Sequence, residues 1–338
     1  MFMRTVAACF FLATGLICNG AAAADDQSDL LPGGRMTIIV GFSAGGGFDL
    51  YARLLARHIG RHLPGTPAVV VSNQPGAGSI KAAENILNIA PRDGTVIGLF
   101  GRTVPFAPLM SDRKFDGTRF EWVGSITEEV STCVASSKSK VQSWKDMLDR
   151  EFVVGGEGKD SDLDINANLL KNIFGAKIKL VSGYPGSTDV KLAIQRGEVD
   201  GICGLSYSTF KSNYATERRE KSVNVLLQVS LKRHPELGEV PFVGDFATAD
   251  QMSALRLLLE PQAMARPFAA PPGISKDRLR TLQAAFDRTM KDPAFLEDAQ
   301  NLHLDVAPMR GEDVKALVSS LYSLPQEARD KARIATGG

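Results

Sequence analysis

Little in this sequence invites metal or redox chemistry. Its 338 residues hold four cysteines and four histidines, and neither type gathers at metal-ligand spacing. His58 and His62 stand at i, i+4 but lack the intervening glutamate that a zinc protease uses. Asp160, Asp162 and Asp164 open like a calcium loop, yet Ile165 stands where the turn glycine belongs and Lys171 where the closing glutamate belongs. The two histidines therefore read as surface residues, and the aspartates as a solvated helix start. Gly45–Gly46–Gly47 lacks the spacing of a dinucleotide fingerprint. No metal and no cofactor is implied. Charge of one sign is missing too. The chain has 39 basic and 38 acidic side chains and no basic run, which argues against nucleic acid or an anionic membrane as partner.

Long apolar runs are confined to the start. Arg4 followed by the apolar stretch Val6–Cys18 and the small residues Ala22–Ala23–Ala24 reads as a cleaved signal peptide covering residues 1–24. The run is too short for a membrane span. Val6–Ala7–Ala8–Cys9 looks like a lipid-attachment site but sits too close to Met1. An exported chain of roughly 310 residues remains, enough for two compact lobes. Cys9 and Cys18 leave with the signal segment, while Cys133 and Cys203 stay. An exported protein can join them, and two buried thiols in strands would read the same way from spacing alone.

What is present is a repeated grammar of strand, glycine-rich bend and helix. Met36–Val40 runs into Gly41–Phe42–Ser43–Ala44–Gly45–Gly46–Gly47–Phe48–Asp49. A helix follows, with Ala52, Leu55, Ala56, Ile59 and Leu63 on one face and Arg53, Arg57 and Arg61 on the other. Ala68–Val71 leads into Asn73–Gln74–Pro75–Gly76–Ala77–Gly78–Ser79 and a helix from about Ile80 to Ala90. Thr95–Phe100 ends at Gly101–Arg102–Thr103. This β-α-β-α-β order predicts a parallel sheet whose post-strand loops open on one edge. The pattern returns in Phe152–Val154 with Gly155–Gly156–Glu157–Gly158, then a helix over Asp162–Phe174 capped by Gly175. It returns again in Ile178–Val181 with Ser182–Gly183–Tyr184–Pro185–Gly186–Ser187, a helix ended by Gly197, and a strand over Glu198–Cys203. Trp122–Ser125 into Cys133–Ala135 reads as the way into the second lobe and Val223–Val229 as the way back. Helices at Ser275, Pro293 and Val314–Leu321 are expected to cover the first lobe. Bare amides at such strand tips, next to helix N-termini, favour an anion.

Gly41–Phe42–Ser43–Ala44–Gly45 also matches the nucleophile elbow Gly-x-Ser-x-Gly. An elbow turns directly into its helix and has strands ahead of it, whereas Ser43 follows the first strand and three residues separate the motif from Asp49. An exported serine hydrolase using Ser43, with His234 or His303 as base, is the rival class.

The ordered motifs Val40–Arg53, Asn73–Gly78, Pro91–Thr95, Gly183–Ser187 with Gly197–Gly201, Ala270–Ile274 and Asp292–Phe295 resemble the substrate-binding proteins of tripartite tricarboxylate transporters, the Bug or TctC-like receptors. The resemblance implies an α/β fold, a two-lobe periplasmic binding protein of type II, each lobe a mostly parallel sheet flanked by helices. Residues 34–131 and 230–338 would form lobe 1 and 132–229 lobe 2. It implies a monomeric, non-enzymatic receptor in the periplasm that delivers a small organic carboxylate to membrane permease subunits; a sensor as the receiving partner stays open. By matching position, the first wall would be Phe42, Ser43, Ala44, Gly46, Gly47, Phe48 and Asp49. Gly76, Ala77, Gly78, Ser79, Arg102 and Thr103 would flank it, with Arg102 the charge available to a second carboxylate. Gly156, Glu157, Gly158, Ser161, Tyr184, Pro185, Gly186 and Ser187 would close from the second lobe, with Asp200 nearer the hinge. Three departures stand out: Gln74 replaces a common arginine, Gly41 replaces a common proline, and Asp162 and Asp164 stand where many members carry a histidine.

Overall fold

The computed structural model describes residues 34–337, apart from the side chains of Ser253 and Ala254. The expected signal peptide, residues 1–24, lies outside the described residues. Strand β1 (Arg35–Val40), helix α1 (Gly47–Ile59), β2 (Ala68–Asn73), α2 (Ile80–Asn88) and β3 (Val96–Leu99) form the expected opening. Ile38 pairs in parallel register with Val71 on one side and Ile97 on the other. The amphipathic pattern decides how α1 lies: Leu54, Leu55 and Ile59 are fully buried, while Arg53, Arg57 and Arg61 are exposed. After α3 (Ala107–Met110) and β4 (Glu121–Ser125) the chain crosses into a second sheet.

That sheet is built from β5 (Ser131–Ser136), α4 (Trp144–Asp149), β6 (Phe152–Gly155), α5 (Asp162–Phe174), β7 (Ile178–Val181), α6 (Ser187–Arg196) and β8 (Gly201–Ser206). Helices α7 (Tyr207–Asn213) and α8 (Ala215–Arg219) precede β9 (Val223–Val229). The Ser161 hydroxyl accepts from the Asp164 N–H to start α5, and Gly175, at φ 74°, ends it. Strand β8 begins at Gly201, three residues later than its apolar pattern suggests. The Glu198 N–H turns back to the Ala193 carbonyl and closes α6 first.

The return path carries α9 (Ala249–Leu259), β10 (Pro267–Ala270), α10 (Lys276–Thr289), α11 (Pro293–Asn301), β11 (Met309–Arg310), α12 (Gly311–Tyr322) and α13 (Gln326–Thr336). The strand orders are β11-β4-β10-β3-β1-β2 and β7-β6-β8-β5-β9. Each sheet is parallel where β-α-β units build it. It is antiparallel where the crossing strands β4, β10, β5 and β9 add to it. The fold is thus mixed α/β, two lobes each with one sheet flanked by helices. Helices α10 and α11 lie on α1, and α12 lies on β4, while α13 reaches across to α5 and α9. Segments 126–130 and 262–266 run side by side between the sheets, tied by Ala265 N–H to Thr127 O (3.0 Å), Glu129 N–H to Gln262 O (3.0 Å) and Ile126 N–H to Arg266 O (3.3 Å).

Cys133 and Cys203 face each other in the β5–β8 register and are joined as a disulfide. The sequence left this pairing open, because nothing local reveals which strands become neighbours. Closing a loop with a sequence separation of 70 residues restricts the unfolded chain, which the entropic account values at roughly 2–4 kcal/mol. A Cys133→Ser, Cys203→Ser double variant is expected to lose about that much in urea unfolding, and an unchanged midpoint would contradict it.

Candidate functional site

Parallel strands deliver their following loops to one edge, and here the two sheets turn those edges toward each other. The first lobe's loops meet the second lobe's directly. Ser43 N–H donates to Pro185 O (3.1 Å) and Ser43 Oγ to Asp189 Oδ2 (2.6 Å). Gly78 N–H donates to Glu157 O (3.2 Å), and Asn213 Nδ2 to Gly45 O (2.8 Å). The approach is so close that a Cβ on Gly186 would lie 2.3 Å from Ser43 Oγ. Asp160 is the most heavily engaged bridge. Its carboxylate accepts from Ser111 Oγ (2.9 Å) and Arg113 Nε (2.8 Å), and its carbonyl from Thr103 Oγ1 (2.8 Å).

Helix α1 enters this seam without a side-chain cap. Asp49 instead folds back onto the Gly45 N–H (2.8 Å), Asn73 Nδ2 (2.8 Å) and Arg53 Nε (2.8 Å). Burial works to raise its pKa, but those hydrogen bonds win and hold it below the ordinary carboxylate value. Among the described residues, the N–H groups of Gly46, Gly47 and Phe48 have no hydrogen-bond acceptor. The first turn of α1 lies against the second lobe. Positions for a Cβ on Gly46 and on Gly47 fall 3.3 Å from Ser187 Oγ and 2.0 Å from Thr209 Oγ1. Helix α6 likewise starts without a side-chain cap, at Gly186. The Oγ1 of Thr188, next to Gly45 and Gly46, is buried without a partner.

Arg102 is 1 % exposed, committed rather than free. Its Nη2 donates to Ser131 Oγ (2.8 Å) and Nη1 to Ser206 Oγ (3.3 Å). Its Nε stands 2.8 Å from Asp162 Oδ1, close enough for an ion pair but not aligned for a hydrogen bond. Asp164 belongs to its own loop, taking Gly158 N–H, Ser161 Oγ and Ser182 Oγ. Glu157 is buried, and burial first, then the charges of Asp162, Asp164 and Asp189, push its pKa well above the ordinary value; a hydrogen bond from the Ser187 N–H opposes them.

The structure gathers most of the expected residues at this seam: Ser43, Ala44 and Gly46 to Asp49, Gly78 and Ser79, Arg102 and Thr103, Glu157, Gly158 and Ser161, and Pro185 to Ser187. Phe42 lies behind, stacked on Phe48 at 4.5 Å between ring centroids. Gly76 and Ala77 shape the loop backbone with φ of 145° and 50°. Gly156 accepts from the Gly183 and Tyr184 N–H groups. Asp200 is not among them. It sits just ahead of Gly201 at the opposite end of β8, bound to Val153 within β6 and not in the loop that follows that strand. His58 is not a surface residue: it is 6 % exposed, pairs with Asp298 (2.9 Å) and meets Phe295 edge-on.

Sequence reasoning missed Asp160 and Asp189 as bridges and missed Arg266 altogether. Arg266 lies over the rings of Phe48 (4.5 Å) and Tyr51 (4.9 Å) and reaches Glu129 (3.4 Å) and Thr209 (3.2 Å) beneath the seam. Its one signal is a lone charge inside the apolar run Ala263–Ala270. Ser43 has no histidine partner, and its bonds run to Asp189 and Pro185, so no catalytic pair forms there. A separate surface concavity of about 590 Å³, lined by Lys211, Glu236, Leu296 and His303 among others, includes none of the glycine-loop residues. Convergent donors make the seam the better site.

Asp160→Asn keeps the shape but weakens the Arg113 contact. It is expected to favour open molecules, seen as a larger radius of gyration in solution scattering of the ligand-free protein; an unchanged radius would refute the bridge. Glu157 holds its proton more tightly folded than unfolded, so its contribution is favourable below its ordinary value of 4.5 and declines as pH rises through the folded value. Glu157→Gln should therefore gain melting temperature over wild type between about pH 4 and about pH 7, and a constant gap would contradict the buried acid.

Three comparisons place this geometry. The model of the tripartite tricarboxylate transporter family receptor, TctC, matches residues 51–323. A UPF0065 protein from the gbd 5' region of Cupriavidus necator is 32% identical over 302 residues, 87% of this chain and 86% of its own. Among solved structures, the periplasmic binding protein BugD superposes with a TM-score of 0.73 at 21% identity, covering 89% of this chain and 98% of that one. MatC from Rhodopseudomonas palustris, with bound malate, gives 0.70 at 18%, covering 89% and 100%. These likenesses belong to substrate-binding receptors and not to enzymes. By sequence over most of its length, the chain belongs to the tripartite tricarboxylate transporter receptor family.

Proposed function

We propose that the chain is a periplasmic solute receptor that binds a small organic carboxylate between its lobes and delivers it, as a monomer, to the membrane permease subunits of a tripartite transporter. The observation that carries this reading is the open N-terminus of α1. Three N–H groups, of Gly46, Gly47 and Phe48, have no acceptor and adjoin the uncapped N-terminus of α6. Two helix N-termini at one seam add their positive ends, and a carboxylate is the charge that answers them. The malate held by MatC supports the same ligand class. No helix among the described residues is long and apolar enough to cross a membrane, in keeping with a receptor that works beside its permease. Closure about the paired crossing segments follows the hinge mode of two-lobed proteins, and the ligand favours the closed state only by its better contacts there.

A thermal-shift screen of the protein lacking residues 1–24 against mono-, di- and tricarboxylates and aromatic acids tests the ligand class. A true ligand at ~100 times its Kd adds about 2.7 kcal/mol. Stabilisation by neutral sugars and by no organic acid would end the reading. The amide contribution has its own test. Gly46 has φ −76°, which proline adopts without strain, so Gly46→Pro deletes one N–H and leaves the backbone in place. It is expected to weaken carboxylate binding by about 1.5 kcal/mol or more relative to Gly46→Ala, which adds a Cβ but keeps the N–H. Equal affinities of the two variants would show that this amide touches no ligand.

A further inference from the structure

A threonine inside a helix can turn its hydroxyl back onto the preceding turn. In the later helices of this chain Thr281, Thr289 and Thr336 do so, each donating to the carbonyl four residues back at 3.0, 2.8 and 3.1 Å. Thr188 has no such recourse. It is the second residue of α6, which begins at Ser187 behind the uncapped Gly186, so the residue four positions back precedes the helix. Its Oγ1 is nonetheless shut away from solvent without a hydrogen-bond partner. Burying a hydroxyl unanswered costs stability, and native structures rarely leave one so. Violations of that kind gather at functional sites.

We infer that the Thr188 hydroxyl is the second lobe's donor to the ligand, closing on the same carboxylate that the Gly46, Gly47 and Phe48 amides take from the first lobe. The inference rests on the carboxylate reading above and deepens it by naming a side chain that joins ligand to closure. Position comes first. Thr188 Oγ1 lies 3.8 Å and 3.7 Å from where a Cβ on Gly45 and on Gly46 would stand, at the open start of α1. The neighbours then decide what it can hold. A hydroxyl alone answers a donor or an acceptor equally. The main-chain N–H groups at that helix start are fixed donors without acceptors, so the atom shared between them and Thr188 must be an acceptor. A carboxylate oxygen meets both, whereas an ammonium would face the amides donor to donor. The next residue holds Thr188 in place: Asp189 takes Ser43 Oγ at 2.6 Å, which pins the first turn of α6 to the glycine loop of the first lobe. Because the amides and the hydroxyl belong to different lobes, a carboxylate touches both only in the closed molecule. That is the differential contact a ligand needs to drive closure.

Two substitutions separate the hydroxyl from the shape that carries it. Thr188→Val keeps the branched outline and removes the hydroxyl, while Thr188→Ser keeps the hydroxyl and removes the methyl. The protein lacking residues 1–24 and both variants are titrated calorimetrically with mono-, di- and tricarboxylates and aromatic acids, among them acetate, succinate, malate, citrate and benzoate, and their melting temperatures are compared without ligand. For the acid that wild type binds best, Thr188→Val is expected to bind roughly tenfold or more weakly, and Thr188→Ser within about threefold of wild type. Without ligand, Thr188→Val should melt at or above the wild-type temperature, because it deletes an unanswered buried group. A hydroxyl that merely supported the fold would lower affinity and ligand-free melting together. Three results overturn the inference and leave the carboxylate reading standing: Thr188→Val binding as tightly as wild type, Thr188→Val losing affinity only along with ligand-free stability, and Thr188→Ser losing as much affinity as Thr188→Val. Wild type that binds no acid of the panel overturns the carboxylate reading and this inference with it.

Discussion

Two helices whose N-termini share one seam bring positive ends together, each equivalent to roughly half an elementary charge. Such an arrangement holds only if negative groups stand between or beside those ends. The chain supplies two. Asp49 lies back along the first turn of α1 and takes the Gly45 N–H, and Asp189 takes the Ser43 hydroxyl. Much of what surrounds the seam follows from this constraint. Glycines at 46, 78 and 186 let main chain meet main chain, and Arg102 is spent on balancing Asp162 inside the second lobe's wall instead of standing in a free pocket. The acids are therefore structural counter-charges first, and the recognition of a ligand is built on whatever charge balance they leave.

The closed arrangement is held by contacts that differ in their distance from those helix ends. Ser43, Gly78 and Gly186 meet their partners where a ligand would lie, whereas Asp160 grips Ser111 and Arg113 beside α3, and Arg266 sits beneath with Glu129 at the crossing segments. Closure can thus persist at its base while the mouth rearranges. The carboxylate proposed above would have to add only the difference between an open and a closed state at the mouth.

The parts that depend on neighbours in sequence were legible. The β-α-β-α-β opening, the glycine bends, α5 with its Ser161 cap and its Gly175 stop, and the three late helices over the first lobe all follow from local propensity and periodicity. What escaped depends on pairs far apart in the chain. His58 reads as surface because its partner Asp298 is 240 positions away, and Asp160 reads as a solvated helix start because Arg113 is 47 positions away. Arg266 looks out of place among apolar residues until the rings of Phe48 and Tyr51 are seen beneath it. The mixed direction of each sheet was hidden for a similar reason, since β10 and β5 are short strands whose orientation is decided by the crossing and not by their own residues. Asp200 shows the opposite error: a motif match placed it with the site, and strand direction carries it to the far end of β8.

Helix α13 has a consequence for how the molecule reaches its final form. It follows α12 on the first lobe, yet Ala332 and Ala335 are buried where it lies on α5, and Asn172 of α5 binds the carbonyls of Ile334 and Ala335. The outer surface of α5 therefore stays uncovered until nearly the whole polypeptide has emerged. In a chain synthesised from its amino end, the second lobe is assembled early in its strands but sealed last, by residues more than 160 positions downstream of the asparagine that binds them, with a sequence separation of 163. The interval between those two events is when this chain is most exposed to proteases and to unwanted association.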